Sequence, residues 1–318
     1  MLLKIFGLLV ALTVAAAAED YPDRPVRIIV PFSAGGGNDI VGRLVANQLS
    51  MKLGQQFFVD NRGGAGGVIG TDAAAHAIPD GYTLLMVSIA HTINPSLYKL
   101  NYDPIKSFAP IAIFATSPNV LAVNPQLPVN SVRDLLVLAK ERPGELEFAS
   151  AGIGSFDHLG GELFKIKAGV NLLHVPYKGG GAAITDLLGG HVKIIFGSLL
   201  TMAPYIQSGQ LKALGTGGSK RNFALPDVPT IAEAGVPGYE ANNWWGIVAP
   251  AGTPAEVIAK LATTIAQVQD LPEVQKQFSR EGAEIVKMTP TEFGEFMVAE
   301  IKKWGRVVKH RDGDATAN

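Results

Sequence analysis

From position 26 onward, short apolar runs alternate with longer stretches in which apolar residues recur every three or four positions. The first run, Val26, Arg27, Ile28, Ile29 and Val30, is β-branched and short, as expected of a strand buried on at least one face. A glycine-rich break follows, and then Ile40, Val41, Leu44, Val45 and Leu49 return at helical spacing, with Asn38 or Asp39 suited to capping the first turn. The same order of strand, glycine-rich break and helix is predicted twice more. A strand over 147–149 passes through 150–158 into a helix with Leu159, Leu163 and Ile166 on one face. A strand over 172–175 passes through Pro176, Tyr177, Lys178 and three glycines into a helix over 182–188.

The remaining pattern completes an α/β chain. Strands are predicted over 57–59, 83–87, 192–196 and 211–214, with a small-residue helix over 71–77 and a helix capped by Ser131 over 131–140. A polar loop is expected over 88–95, at the carboxyl end of its strand, where open parallel sheets hold ligands. Two extended apolar runs, 111–123 and 241–250, are too long for one strand of a small sheet and are read as crossings between two domains. From 253 the pattern is helical, with Pro254 at a helix start.

The three glycine-rich junctions carry the candidate chemistry. A helix start presents free backbone N–H groups and the positive end of its dipole, and glycine lets a ligand approach that backbone closely. Hydroxyls at Ser33, Ser150 and Ser155 and the N–H groups of 35–38 and 152–155 are placed to hold a carboxylate without an ion pair. Hydrogen bonds to a charged group contribute about 1.5 to 3 kcal/mol each, so a few give tight, reversible capture.

Composition narrows the classes. The chain has 318 residues, 47% of them apolar, enough for two cores. A net charge of -1 with no basic stripe argues against nucleic acid. There is no cysteine, so disulfides, a thiolate nucleophile and cysteine-type zinc sites are excluded. The six histidines show no metal-ligand spacing, and no metal or cofactor is expected. At the N-terminus, Lys4, an apolar stretch over 5–14 and four alanines over 15–18 predict an export signal cleaved near Ala18.

Enzyme rivals fare less well. Beginning at Gly35, Gly64 or Gly152, the sixth position is Ile40, Ile69 or Asp157, so the dinucleotide fingerprint fails. Ser155 and His158 invite comparison with a serine hydrolase, but the residue two before Ser155 is Ile153, which breaks the nucleophile-elbow pattern.

From Tyr21 to about Val308 the chain resembles the Bug family of extracytoplasmic solute receptors, the TctC-like binding proteins of tripartite tricarboxylate transporters. The resemblance rests on Val30-Pro31-Phe32 with Gly35-Gly36 and Asp39, on Asn61-Arg62 with Gly64-Ala65-Gly66-Gly67, and on Pro79-Asp80-Gly81-Tyr82-Thr83-Leu84. It continues in Ser150-Ala151-Gly152 with Gly154-Ser155 and His158-Leu159, in Val175-Pro176-Tyr177-Lys178-Gly179, and in Trp244 with Ala249-Pro250-Ala251-Gly252-Thr253-Pro254.

The resemblance implies a two-lobed periplasmic-binding-protein (Venus flytrap, type II) fold, each lobe a mostly parallel sheet flanked by helices. Lobe 1 is expected over 19–119 and 247–318, and lobe 2 over 120–246. A carboxylate would be enclosed between them by Phe32, Ser33, Gly35, Gly36, Asn38 and Asp39 from the first lobe. The second lobe would supply Ser150, Gly152, Gly154, Ser155 and His158, with Gly179, Gly180 and Ala182 from the third junction. His91 and Thr92 are the next candidates. Asp39 is ambiguous, because it would repel a carboxylate and suits capping equally well.

Ile153 and Phe156 favour an apolar or aromatic acid, while Asn38 and His158 suit a second polar group. Trp244 and Trp245 either stack on a ring or pack at the hinge. The expected function is carboxylate capture by a monomeric periplasmic protein and delivery to a membrane permease. Presentation to a sensor kinase is the alternative, and an exported hydrolase is the weaker rival.

Overall fold

The computed structural model describes residues 21–315, apart from the side chains at 306, 307 and 309–315. The expected export signal lies outside these residues. Ten strands form one continuous, strongly curled arrangement.

Strand β4 (Phe108–Val123) organises the molecule, because its sixteen residues serve two sheets. Its first part, from Phe108 to Pro118, pairs antiparallel with β9 (Asn242–Pro250), and its last part, from Asn119 to Val123, pairs with β7 (Ile194–Ser198) and β8 (Lys212–Thr216). The first sheet continues through β3 (Thr83–Ser88) to the parallel β1 (Val26–Val30) and β2 (Phe57–Asn61). The second continues through β7 to the parallel β5 (Glu147–Ser150) and β6 (Leu173–Pro176). A two-residue β10 (Glu284–Ile285) closes the margin of β4. The ladder of β9 to β4 begins where Asn242 faces Pro118.

Helices join the strands. On the first sheet these are α1 (Gly37–Leu53), α2 (Val68–Ala75) and α3 (Ile89–Leu97). The second carries α4 (Val132–Glu141), α5 (Phe156–Ala168), α6 (Gly180–Gly189) and α7 (Leu199–Gln207). The tail supplies α8 (Ala255–Gln269), α9 (Pro272–Arg280) and α10 (Pro290–Ala315). In α1, Val41, Val45 and Leu49 are buried at the expected spacing against Val30, Met86 and Trp245. In α5 the buried face carries Leu159 and Phe164, while Ile166 is exposed.

Two expectations fail locally. Residues 88–95 form most of α3 rather than a polar loop, because Ile89, Ala90 and Ile93 are buried and hold a helix that tolerates Pro95. The N-cap of α1 is Gly36 and not Asn38 or Asp39, and no side chain caps that helix.

The crossing between sheets is tightly bonded. Asn119 donates from its backbone to the Ala241 carbonyl and from Nδ2 to the Phe196 carbonyl at 2.6 Å, and Tyr239 Oη donates to Asn119 Oδ1 at 3.0 Å. Trp245 is fully buried beneath the start of α1, and Trp244 packs edge-on to Phe293 and Phe296. Both tryptophans therefore serve packing at the crossing.

Candidate ligand-binding cleft

Five strands end at helix starts that face one cavity of about 50 Å³ between the two sheets. Gly36 begins α1 after β1, Ser88 begins α3 after β3, Ser155 begins α5 after β5, Gly180 begins α6 after β6, and Ser198 begins α7 after β7; all five line the cavity. The starts of α1, α3 and α6 have no side-chain cap, while at the start of α7 the Leu200 N–H donates to Ser117 Oγ at 3.1 Å. Ser155 does cap α5, accepting from the His158 N–H at 3.3 Å. Phe32, Phe156, Ile184, Ile195 and Met202 supply apolar wall, and Asn38, Thr201 and Asn243 supply polar side chains. Among the described residues lining the cavity, no lysine, arginine or histidine occurs.

Glycine makes the sheets' loops meet. A Cβ on Gly181 would strike the Ala34 carbonyl, one on Gly179 would strike Ser33, and one on Gly66 would strike the Ile153 carbonyl. Gly35, at φ +85°, sits in the left-handed region and brings the first loop against Gly181. Tyr98 Oη completes this seam by donating to the Ile153 carbonyl at 2.9 Å.

Of the sequence candidates, Phe32, Gly36, Asn38, Ser155 and Gly180 line the cavity. Others shape the loops behind it. Asp39 Oδ2 accepts from the Gly35 N–H at 2.9 Å and from Arg43 Nε at 3.0 Å, while its Oδ1 accepts from Asn61 Nδ2 at 3.0 Å. Burial raises its pKa, but the bonds from Arg43, Gly35 and Asn61 outweigh that and hold the carboxyl below its ordinary range. Asp39 is thus a fastener of the first loop. Ser150 shares a 2.6 Å hydrogen bond with His174 Nε2 and accepts from the Gly152 N–H, and His158 Nδ1 accepts from the Gly154 N–H at 3.2 Å. Gly179 and Ser33 are pressed together at the seam, and Ala182 lies in the first turn of α6.

His91 and Thr92 do not line this cavity. His91 Nε2 donates to the Pro104 carbonyl at 2.7 Å, its ring meets Phe108 edge-on, and burial pulls its pKa down to about 4, so it is a neutral packing residue. Thr92 Oγ1 donates to the Ile89 carbonyl within α3. Both followed from reading a loop where a helix forms.

Asp157 is a carboxylate that was not among the sequence candidates. It lines the cavity from the first turn of α5, and its Oδ2 accepts from the Ala151 N–H at 3.2 Å. Burial pushes its pKa up to about 7, against the smaller opposing pull of the Ala151 and its own backbone N–H groups. Ser198 and Asn243 were missed too. Ser198 follows Gly197 at a strand end, a weak form of the same signal; Asn243 reaches the cavity only through the pairing of β9 with β4.

Residues 41–312 match the family described as Tripartite tricarboxylate transporter family receptor, TctC. The chain belongs to the TctC family. BugT of Bordetella pertussis is 38% identical over 97% of this chain and 96% of its own length. A solved structure of Rpa4515 from R. palustris with adipate shares 39% identity over 91% of this chain and 98% of that one, with a TM-score of 0.88. MatC from Rhodopseudomonas palustris, solved with bound malate, shares 32% identity over 91% of this chain and all of that one, with a TM-score of 0.86.

This TctC-family chain is therefore an extracytoplasmic solute-binding receptor with a periplasmic-binding-protein fold, related to binding proteins and not to enzymes. Among its described residues no helix is long and apolar enough to cross a membrane.

Proposed function

We propose that the chain captures a small organic carboxylate in the cleft between its two sheets and delivers it from the periplasm to the membrane permease of a tripartite transporter. The observation that carries this reading is the convergence of five helix starts on one cavity, three of them (α1, α3 and α6) without a side-chain cap. Such starts favour an anion by dipole and by unpaired N–H groups, and no cationic side chain in the lining is needed. Adipate and malate in two relatives support the class of ligand.

The two sheets act as the lobes, with the strand crossings near Asn119 and Asn242 as the hinge, and the glycine seam is the contact made on closing. The export signal over 1–18 is removed before the receptor works.

The test is thermal unfolding of residues 19–318 against mono-, di- and tricarboxylates, aromatic acids and acidic amino acids. A ligand at ~1,000 times its Kd stabilises the fold by about 4 kcal/mol, a rise of roughly 10 °C. A panel with no shift, on protein shown by mass spectrometry to be ligand-free, counts against carboxylate capture.

A further inference from the structure

The cleft has a charge problem. Its one ionisable lining group among the described residues is a carboxyl, Asp157, and no cation faces it across the cavity. Asp39, at the corresponding place in the first loop, has Arg43 and Asn61 to neutralise and bond it. Among the described residues, Asp157 has only the Ala151 N–H and its own backbone N–H, from the start of a helix whose cap Ser155 already fills. A plain dicarboxylate closed into this cavity would set like charges together in a site emptied of most water.

Two further acceptors stand in the same lining. Asn243 Oδ1 and the Ser198 hydroxyl are buried without a hydrogen-bond partner, on residues only 6% and 5% exposed. Buried polar atoms left unpaired are costly, and such atoms in a cavity wall mark where a ligand bonds. Asn243 comes from the first sheet, Ser198 and Asp157 from the second, so the three meet only in the closed cleft.

We propose that Asp157, Asn243 and Ser198 form a nitrogen-accepting subsite, so that the ligand is a carboxylate that also carries a protonated amine. Its acid end meets the uncapped starts of α1 and α6, its amine meets the three acceptors, and its carbon body lies against Phe32, Phe156 and Met202. An ammonium supplies the cation that Asp157 lacks and the N–H donors that Asn243 and Ser198 lack. Burial has pushed the Asp157 carboxyl up to about 7, and an ammonium beside it restores the ionised form. The inference rests on the carboxylate-receptor reading and adds the second functional group of the ligand.

Calorimetric titration with matched pairs tests it: L-aspartate and succinate, L-glutamate and glutarate, 4-aminobutyrate and butyrate, 4-(aminomethyl)benzoate and 4-methylbenzoate. In the wild type, the amine of at least one pair should bind about 30-fold tighter than its partner, the size expected of a charge-assisted bond. Asp157→Asn should erase that preference with no loss of melting temperature, since the amide oxygen still accepts from Ala151. Ser198→Ala should weaken the amine about fivefold and leave the plain acid unchanged.

Equal or tighter binding of the plain acid in every pair, or a preference that survives Asp157→Asn, overturns the subsite and leaves the receptor reading standing. Failure of every acid, with and without an amine, overturns both.

Discussion

The two glycine loops facing each other across the cleft are built on one plan and used differently. In each, a strand ends, the chain turns through glycine, and an aspartate in the first turn of the next helix reaches back to a loop N–H: Asp39 to Gly35 and Asp157 to Ala151. Asp39 is also bonded by Arg43 and Asn61, and its acidity is increased; Asp157 has no such partners, and its acidity is decreased. A place in the first turn of a helix therefore does not fix a carboxylate's role. Its other neighbours do, and they make one aspartate a loop fastener and leave the other to face a ligand.

The largest effect should come from separating the loops. Gly181→Val forces a side chain into the Ala34 carbonyl at the seam, and ligand affinity should fall by about 100-fold with little change in melting temperature. Calorimetry with the best acid of the panel checks it; unchanged affinity would mean that the seam is irrelevant to capture.

Next is the fastener itself. Asp39→Ala removes the acceptor for three donors and should cost about 2 to 3 kcal/mol, a drop of roughly 5 °C in Tm. Because the folded carboxyl is more acidic than the unfolded one, the Asp39 contribution is complete above the ordinary carboxylate range and disappears as pH falls through the folded value. The wild-type and Asp39→Ala melting curves should converge in acid.

Asp157→Asn should behave in the opposite sense. The folded carboxyl titrates near 7, so wild-type stability is lost as pH rises from the unfolded value toward 7 and no further above it. The variant should gain roughly 3 °C at pH 8 and almost nothing near pH 3.5. A ligand-free melting curve that shows no such divergence would remove the contrast between the two aspartates. Smallest is Ser155→Ala, which takes the cap from α5 and should cost about 1 kcal/mol, read by the same melts.

Much of this was legible in the pattern of residues. The three glycine-rich junctions break strand and helix periods so sharply that both the elements and the anion-binding idea follow from them, and the long run ending at Val123 announces a strand shared by two sheets. What escaped notice depended on weaker breaks or on distant pairing. Ser88 and Ser198 are helix starts with no glycine run after them, and the polar His91, Thr92 and Asn94 hid the buried face of α3. Capping rules favoured Asn38 or Asp39 at the start of α1, but the helix already begins at Gly37, with Gly36 as its N-cap. Asn243 enters the cleft only because β9 pairs with β4, a relation between residues more than a hundred positions apart.

The central claim is that helix starts, and not a basic side chain, hold the negative charge of the ligand. Its most direct test is calorimetric titration of the tightest acid in the panel beside its primary amide, which keeps the shape and loses the charge. The account predicts that the acid binds and the amide binds about 100-fold more weakly or not at all. Equal affinity for the two would contradict it.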